Sequence, residues 1–262
     1  MRPVRLLPLF VLMLVGMVVA RPARAETAPL RLMTYNVNYA NPDPDSAMDA
    51  IEKADVDVVL LQEITSEWKR GLSKRFAKQY PHQVYRLHAR GPGGLAVLSK
   101  FEIKAEEIFA SPEKGWFFAE RLELDTPSGA VQVLHVHLRP AIDNGSWIKG
   151  FMTTPPLRLR EIESYWKKVA ANMPTIVAGD FNEDPTGTAV AFLERQGLTR
   201  TPTSGPTTWH YVVENRGKKS DLLKLDIDHV LVDKRLSARD GTVLDAGVSD
   251  HRPVIVTIEP RS

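Results

Sequence analysis

The sequence predicts one α/β domain, and three features of the chain support this prediction. Segments with the composition of buried strands, such as Val56 to Leu61, alternate with segments that carry the apolar stripe of a helix, such as Leu157 to Ala171. Several of the strands end in carboxylate, amide or imidazole side chains, and the ends of strands are where α/β proteins build their sites. The sequence contains no internal repeat, low-complexity tract or linker. We therefore predict a single domain over residues 26–262.

The N-terminal residues have the pattern of a secretory signal. Two arginines precede an apolar run from Leu6 to Ala20, and Ala23-Arg24-Ala25 then supplies a small-x-small cleavage site. We expect a signal peptide over residues 1–25, cleaved after Ala25, and a periplasmic or secreted domain. An uncleaved membrane anchor is the alternative, but the apolar run is shorter than the roughly 20 residues that span a bilayer.

Composition excludes some kinds of chemistry. The chain has no cysteine, which rules out disulfides, thiolate metal sites and a cysteine nucleophile. The whole chain carries a formal charge of +2, but the signal segment holds four arginines and no acid, which leaves 30 basic against 32 acidic residues. The charge of the domain therefore gives no global reason to expect nucleic acid, although a local basic patch stays possible.

The first predicted strand, LRLMTYNVN, places two asparagines on one face. Alternation puts Asn36 and Asn38 on the same side, although asparagine is disfavoured inside strands. The two residues therefore indicate either a turn or a polar site. A helix is expected next, over Ser46 to Ala54, with alanines and Ile51 as its apolar stripe.

The second predicted strand, Val56 to Leu61, ends in Gln62 and Glu63. An unpaired carboxylate at the end of a buried strand costs several kcal/mol, so Glu63 is expected to meet water or bind a cation. Capping of the helix predicted over Ser66 to Lys78 is the alternative role for Glu63.

A glycine-rich turn, Arg90-Gly-Pro-Gly-Gly, leads into a strand over Leu95 to Leu98. No helix follows it, so the turn does not fit a nucleotide-binding loop. Arg90 lies at its rim. Ile103 to Ala110 and Phe117 to Leu124 then have the pattern of two hairpin-like strands.

Two imidazoles lie on one face of the strand predicted over Val131 to Leu138. His135 and His137 are two residues apart, and this face is the one on which other polar strand ends are expected. The spacing also fits a zinc pair, so a zinc hydrolase stays open as an alternative. Residues 139–156 lack periodicity, and their aromatic content favours a packed loop or lid near the site.

The stretch IVAGDFNEDP carries the densest polar cluster. A short strand over Ile176 to Ala178 reaches Gly179, which lets the backbone turn so that Asp180 and Asn182 are presented at its end. A helix over Thr186 to Arg195 follows.

The C-terminal part is expected to contain two more strands. Leu225 to Val232 places Asp226 and Asp228 on one face, and Asp250-His251 directly precedes the last strand, Val254 to Ile258. Pro202 to His210 is expected to be a loop, and Asn215 to Ser220 a solvated basic turn.

Seven short motifs follow one another between residues 30 and 259: TYNVN, LLQE, GGLAVLS, HVHL, GDFN, IDHVLV and SDHRP. In this order they resemble the endonuclease/exonuclease/phosphatase superfamily, which includes deoxyribonuclease I, abasic-site endonucleases, bacterial sphingomyelinases and inositol polyphosphate 5-phosphatases. GDFN together with a terminal SDHRP is specific, whereas QE or HVHL alone is weak. The resemblance implies a four-layer α/β sandwich, in which two stacked mixed β-sheets are flanked by helices, as in deoxyribonuclease I.

The resemblance also implies a metal site. Glu63 would be the main ligand of Mg²⁺, with Asn36 and Asp250 in or next to its coordination shell. Mn²⁺ is a second candidate, because hard oxygen ligands suit these two ions better than zinc.

Five catalytic roles follow from the same resemblance. Asp180 would position or deprotonate the attacking water, and Asn182 would donate a hydrogen bond to a phosphoryl oxygen. His251, oriented by Asp228, would bind the scissile phosphate and act in proton transfer. His137 would stabilise the pentacovalent state or protonate the leaving oxygen.

Two further residues, Asn38 and Arg90, are expected to contact phosphate. His135 departs from the family pattern, because many relatives carry a small polar residue there.

The leading prediction is an exported Mg²⁺-dependent phosphodiesterase that acts by in-line attack of water, with DNA or RNA as substrate. A sphingomyelinase-like or inositol-phosphate-type phosphoesterase, acting on lipid or a small molecule, is the alternative; the near-neutral charge and the aromatic residues Trp147 and Phe151 motivate it. A non-catalytic binding protein on the same scaffold is the third hypothesis. We expect a monomer without an obligate protein partner.

Overall fold

The computed structural model describes residues 28–89, 91–112, 115–215 and 218–261. The predicted signal peptide, residues 1–25, and the predicted phosphate contact Arg90 lie outside these residues. Within the described ranges, no helix has the length and apolar character needed to cross a membrane.

Most strands belong to two mixed sheets. The first sheet has, in spatial order, β10 (Thr203–Ser204), β14 (Leu236–Val243), β15 (Val254–Pro260), β1 (Leu30–Asn36), β2 (Val58–Gln62), β4 (Leu95–Ser99) and β3 (His82–Arg86). The second sheet has β5 (Glu102–Phe109), β6 (Ala119–Thr126), β7 (Gly129–His137), β8 (Thr175–Asp180), β13 (Asp228–Val232) and β9 (Thr199–Arg200). Strands β11 (Trp209–Asn215) and β12 (Lys218–Leu225) form a separate two-stranded ribbon.

The two sheets pack face to face through one apolar cluster. Strand alternation directs Leu32 and Leu60 of the first sheet toward Val133 and Ile176 of the second, and all four side chains are fully buried. Burial at roughly 25 cal/mol per Å² of apolar surface makes this interface a main source of stability.

Helices cover the outer face of each sheet. α1 (Pro44–Ala54) and α2 (Ser66–Arg75) pack on the first sheet through a cluster that includes Ile51 and Leu72. α4 (Pro155–Trp166) and α5 (Thr188–Arg195) pack on the second through a cluster that includes Ile162. The order helix, sheet, sheet, helix confirms the four-layer α/β sandwich.

Strand direction and register place the polar strand ends at one edge of the sandwich. β1 and β2 are parallel and end together, with Asn36 opposite Gln62. β7 and β8 are also parallel and end together, with His137 opposite Asp180. β13 runs antiparallel to β8 and begins at this same edge, where Asp228 pairs with Asp180.

The structure differs from the predicted elements in several places. The segment predicted as a loop over residues 139–156 contains α3 (Trp147–Thr153), and β14 was not predicted. The strand predicted over Leu225 to Val232 is two elements, because Leu225 ends β12 and Asp228 begins β13. The predicted basic turn, Asn215 to Ser220, belongs in its described residues to the strands of the ribbon.

Candidate active site

Asn36 links two carboxylates that come from different sheets. Its amide nitrogen donates to Glu63 Oε1 at 3.2 Å and to Asp180 Oδ2 at 3.0 Å, while its oxygen accepts the backbone N–H of Asn38. Asn36, at the end of β1, thus connects Glu63, which follows β2, to Asp180, which ends β8. In this arrangement Asn36 is a hydrogen-bond donor to the carboxylates, and ligation of a cation through its oxygen requires rotation of the amide.

Glu63 points into the site because the chain turns sharply after β2. Its φ of 66° is left-handed, and its Oε2 accepts the backbone N–H of Tyr39 at 2.9 Å. The N-cap of α2 is Thr65, whose side chain accepts the N–H of Trp68, so the helix-capping role for Glu63 is wrong. Burial raises the pKa of the Glu63 carboxyl, which shows that its charge is poorly compensated.

Asp180 is the buried centre of the site. Its Oδ1 accepts the backbone N–H of Asn182 at 2.8 Å, and its Oδ2 lies 3.5 Å from His137 Nε2 and 3.7 Å from His251 Nε2. Burial raises the pKa of this carboxyl to about 7, although the charge of His251 opposes the shift.

His251 and Asp228 form a buried ion pair. His251 Nδ1 lies 2.9 Å from Asp228 Oδ2, and these are the two residues that the resemblance to the family pairs. Burial disfavours the charged imidazole, but the carboxylates of Asp228 and Asp180 outweigh it and raise the pKa of His251 to about 10. The ring is therefore cationic at neutral pH, with Nδ1–H donating to Asp228 and Nε2–H facing Asp180.

The imidazole of His137, unlike that of His251, is held in its neutral form. Its ring is buried and stacks on Phe117 with centroids 4.2 Å apart, and its Nδ1 has no hydrogen-bond partner. Burial and the charge of His251 lower its pKa well below the ordinary value. Asp180 is thus flanked by one neutral and one charged imidazole.

His135 does not belong to this site. It shares a face with His137, as predicted, but it lies two residues deeper between the sheets. Its Nδ1 lies 2.8 Å from Glu120 Oε1 and its Nε2 lies 2.6 Å from Gln62 Nε2. Both ring nitrogens are engaged, so the structure gives no support to a zinc pair with His137.

Asn38 and Asp250 lie on the side of the site that is partly exposed to solvent. Asn38 lies beyond the end of β1 with a φ of 59°, so the prediction that it continues the strand is wrong. Its Nδ2 donates to Asp250 Oδ1 at 2.9 Å, and the indole of Trp209 donates to Asp250 Oδ2 at 3.1 Å. Burial opposes ionisation of Asp250, but His251 and these two donors lower its pKa.

Asn182 is positioned by the turn after β8. Its φ is 53°, and its side-chain nitrogen donates to the carbonyl of Leu138 at 3.0 Å. The backbone thus engages one of the two amide hydrogens of Asn182.

Four supporting residues were missed by the sequence reasoning. Thr208 Oγ1 accepts the N–H of Asp228, Ser249 Oγ donates to the carbonyl of Asn36, Trp209 holds Asp250, and Phe117 carries the ring of His137. Ser249 stands inside the SDHRP motif, which was a usable signal. The other three lie 20 to 41 residues from the site residue that each one contacts, and a single sequence gives no pattern for contacts of this kind.

The donor set fits a hard divalent cation. Among the described side chains, no Lys or Arg nitrogen lies within 4 Å of the carboxylates of Glu63, Asp180, Asp228 or Asp250. Buried carboxylates of this number need a compensating charge, and their oxygens are the ligands that Mg²⁺ and Mn²⁺ prefer.

A second grouping of ligand atoms, from Asp180, Asp228 and His251, lies within 4.8 Å. Its imidazole is held by Asp228, and the raised pKa of His251 keeps the ring protonated, which disfavours binding of a cation through this ring.

Comparison with known proteins agrees with this geometry. A sequence model of the Endonuclease/Exonuclease/phosphatase family matches residues 33–251. No curated protein matches the chain significantly.

Solved structures share the fold at low identity. Sphingomyelinase C from Streptomyces griseocarneus superimposes with a TM-score of 0.67 at 20% identity, over 88% of this chain and 99% of that one. An endonuclease/exonuclease/phosphatase family protein from Leptotrichia buccalis C-1013-b gives 0.67 at 18% identity, over 88% and 99%. The human Nocturnin catalytic domain with bound sulfate anion gives 0.66 at 16% identity, over 89% and 95%. The family match, the sandwich of two sheets and the cluster of acids and histidines at its edge show that the chain belongs to the endonuclease/exonuclease/phosphatase family of divalent-metal-dependent phosphoesterases.

Proposed function

We propose that this protein is a Mg²⁺-dependent phosphodiesterase that hydrolyses nucleic acid by in-line attack of water. The observation that carries the proposal is the placement of Asp180 between two imidazoles of different charge, His137 and His251, both within 3.7 Å of its Oδ2. In such a site the Asp180 carboxylate can accept a proton, and the two imidazoles can donate hydrogen bonds.

Each side chain then has a defined task. The Asp180 carboxylate, fixed by Asn36 and by the N–H of Asn182, orients the attacking water and takes its proton. Cationic His251, held by Asp228, donates Nε2–H to a phosphoryl oxygen. Neutral His137, whose Nε2 lies 3.5 Å from Asp180 Oδ2, contributes a further polar contact beside Asp180.

The cation would be held by Glu63 and Asp250, with Asn36 beside them. When bound, Mg²⁺ supplies Lewis-acid stabilisation of the negative charge that develops on the phosphate. No covalent intermediate is part of the proposal, because the Asp180 carboxylate is used to orient the attacking water and the imidazoles are used to contact the phosphate.

A substrate panel tests the proposal. The protein from Glu26 onward is incubated with plasmid DNA, RNA, sphingomyelin and inositol phosphates, with Mg²⁺, Mn²⁺ or EDTA. We expect metal-dependent nicking of plasmid or cleavage of RNA that is lost in His251→Ala. Hydrolysis of lipid or phosphomonoester alone would retain the mechanism and refute the nuclease assignment.

A lipid phosphodiesterase is the second candidate, and the surface of α3 favours it. Phe151 and Met152 are 41% and 80% exposed, and exposed apolar side chains can bind a membrane surface. Trp147, in contrast, packs against Trp209 and Tyr211 and is not free for this role. If lipid is the substrate, Phe151→Ser with Met152→Ser will reduce sedimentation with sphingomyelin vesicles; unchanged sedimentation counts against this candidate.

Export is part of the proposal and is supported by the N-terminal sequence. The arginines, the apolar run and Ala23-Arg24-Ala25 favour cleavage after Ala25. Mass spectrometry of the protein recovered from a producing cell tests it. A mature N-terminus at Glu26 outside the cytoplasm is expected, and an intact N-terminus in the cytoplasmic fraction would contradict it.

A further inference from the structure

A cleft of about 630 Å³ opens beside the end of β7 and is separate from the catalytic side chains. Its walls include Trp116, Arg139, Asp143, Thr154, Leu157 and Arg160. Two arginines and one aromatic ring in a concave surface are the groups that commonly recognise phosphate.

Arg139 is a buried cation with unused hydrogen-bonding capacity. The residue is 8% exposed, its Nε is buried without a partner, and one terminal nitrogen donates to the carbonyl of Ile142 at 3.3 Å. Among the described side chains, no carboxylate oxygen lies within 4 Å of its guanidinium. The guanidinium carbon Cζ lies 3.4 Å from the ring centroid of Trp116, and this contact orients the group.

The positive charge of Arg139 is only partly balanced by the acids near it. Burial lowers the pKa of its guanidinium, and Glu161 and Asp143 only partly oppose this shift. Glu161 uses Oε2 to accept the backbone N–H of Arg139, and Asp143 faces Lys149 Nζ at 3.3 Å and the hydroxyl of Thr153. An anion in the cleft would therefore stabilise the buried cation.

Helix α4, which has 12 residues, adds a second cation to the cleft. Its first two residues are prolines, and the N–H groups of Thr154 and Leu157 are bonded to backbone carbonyls, so the donor to an anion is a side chain and not the end of the helix. Arg160, exposed on the same helix, lines the cleft as well.

The cleft lies next to the active site, although other residues form its walls. Arg139 follows His137 by two residues, so their Cα atoms are at most about 7 Å apart. Phe117, which stacks on His137, contacts Trp116 edge-on with centroids 6.1 Å apart. The α4 N-terminus also lies at the edge where β7 ends, because α3 and α4 connect the parallel strands β7 and β8.

We propose that this cleft binds a second phosphate group of the substrate, adjacent to the scissile one, through Arg139 and Arg160. The proposal rests on the proposed phosphodiesterase activity and adds that the substrate is a polyanion, as a nucleic-acid strand is.

Two substrates that differ by one phosphate test the subsite. Thymidine 5′-(p-nitrophenyl phosphate) and its 3′-phosphorylated form are hydrolysed with Mg²⁺ by the wild-type protein, Arg160→Ala and Arg139→Gln. The exposed Arg195, at the end of α5, supplies the control Arg195→Ala. We expect the 3′-phosphate to lower KM about threefold to tenfold in the wild type and in the control, and this advantage to disappear in both cleft variants. Because Arg160 is exposed, Arg160→Ala keeps the test valid if Arg139→Gln does not fold.

A binding measurement separates failure of the subsite from failure of the activity. Inorganic phosphate is titrated in EDTA into His251→Ala, at constant ionic strength, and followed by tryptophan fluorescence. Binding that Arg160→Ala weakens and Arg195→Ala does not weaken supports the subsite even without turnover. Equal phosphate affinity in all three backgrounds, or a KM advantage that persists in Arg160→Ala, would overturn it.

Discussion

Among the acids around His251, Asp228 contributes most to keeping the imidazole charged, and Asp180 adds to its effect. The 2.9 Å contact between His251 and Asp228 lies in a buried region, and it holds both the tautomer and the orientation of the ring. We expect Asp228→Asn to lower kcat about 100-fold, because an amide neither attracts the imidazolium nor fixes its proton.

The accompanying pKa change distinguishes this role from a purely structural one. Nuclear magnetic resonance titration of the His251 ring is expected to show a lower pKa in Asp228→Asn than in the wild type. A normal kcat with an unchanged His251 titration would contradict the assignment.

Glu161 gives a stability prediction that depends on pH. Burial raises the pKa of this carboxyl from 4.5 to about 7, against the opposing contacts of Arg139 and Ser111. A carboxyl whose pKa is higher in the folded state favours folding below its unfolded pKa, and this contribution is lost as the pH rises toward 7. Glu161→Gln should therefore increase the free energy of unfolding by about 2 kcal/mol at pH 8, with the gain shrinking toward pH 4.5.

Urea denaturation at several pH values measures this effect. Glu163→Gln on the same helix is the control, and it is expected to change stability by less than about 0.5 kcal/mol. A Glu161→Gln protein that is less stable than the wild type at pH 8 would show that the carboxylate is well compensated.

The sequence indicated the candidate site residues more readily than it indicated which residues contact them. Asp180, Asp228 and His251 could be named because each stands at a strand end inside a short motif. The left-handed backbone at Glu63 and Asn38 could not be predicted, since φ there is imposed by hydrogen bonds from residues distant in sequence.

At the scale of the element, the end of β8 depends on a glycine. Gly179 has a φ of 144°, and a Cβ at this position would lie 1.9 Å from the backbone oxygen of Val136 in β7. Backbone atoms of a central strand cannot move away independently. Gly179→Ala is therefore expected to destabilise the protein by about 3 kcal/mol and to displace Asp180, with loss of activity.

Thermal unfolding and the metal-stimulated rate measure the two consequences of Gly179→Ala. Gly129→Ala is the matched control, because Gly129 also has a positive φ but its Cβ would meet no atom within 4 Å. An equal and small effect of both substitutions would contradict the close approach of β7 and β8.

Elements that depend on distant packing were the ones the sequence did not predict. α3 has only seven residues, which is too short to be stable alone, and its Trp147 packs on Trp209 and Tyr211 of the ribbon. Long strands and amphipathic helices, in contrast, were predictable because alternation and apolar stripes are local properties.

At the scale of the whole molecule, a buried polar network crosses the interface between the sheets. His135 and Glu120 of the second sheet meet Gln62 of the first, and all three are fully buried. His135→Ala leaves the Glu120 carboxylate without its imidazole, so we expect a loss of about 3 kcal/mol in the free energy of unfolding.

A double variant tests whether these contacts act together. His135→Leu with Glu120→Leu removes both polar groups and should be less destabilised than the sum of the two single changes. Chemical denaturation measures all three proteins. Strict additivity would mean that the two side chains are not energetically coupled.

The overall architecture was predictable only in part from residue patterns. Alternating strands and helices indicate an α/β domain, but the stacking of two sheets followed from the resemblance of the ordered motifs to a family. The order of the strands depends on contacts between segments more than 100 residues apart, such as β1 with β15, which no local pattern contains.

Hydrolysis of bis(p-nitrophenyl) phosphate by the protein from Glu26 onward tests the central claim most directly. The rate is measured with Mg²⁺ and with EDTA, for the wild type, Asp180→Asn and His251→Ala, after folding of each is verified by circular dichroism. We predict a rate that requires the metal and falls at least 100-fold in either variant. A rate that is unchanged by EDTA, or that persists in Asp180→Asn, would contradict a metal-dependent phosphodiesterase site at this edge of the sandwich.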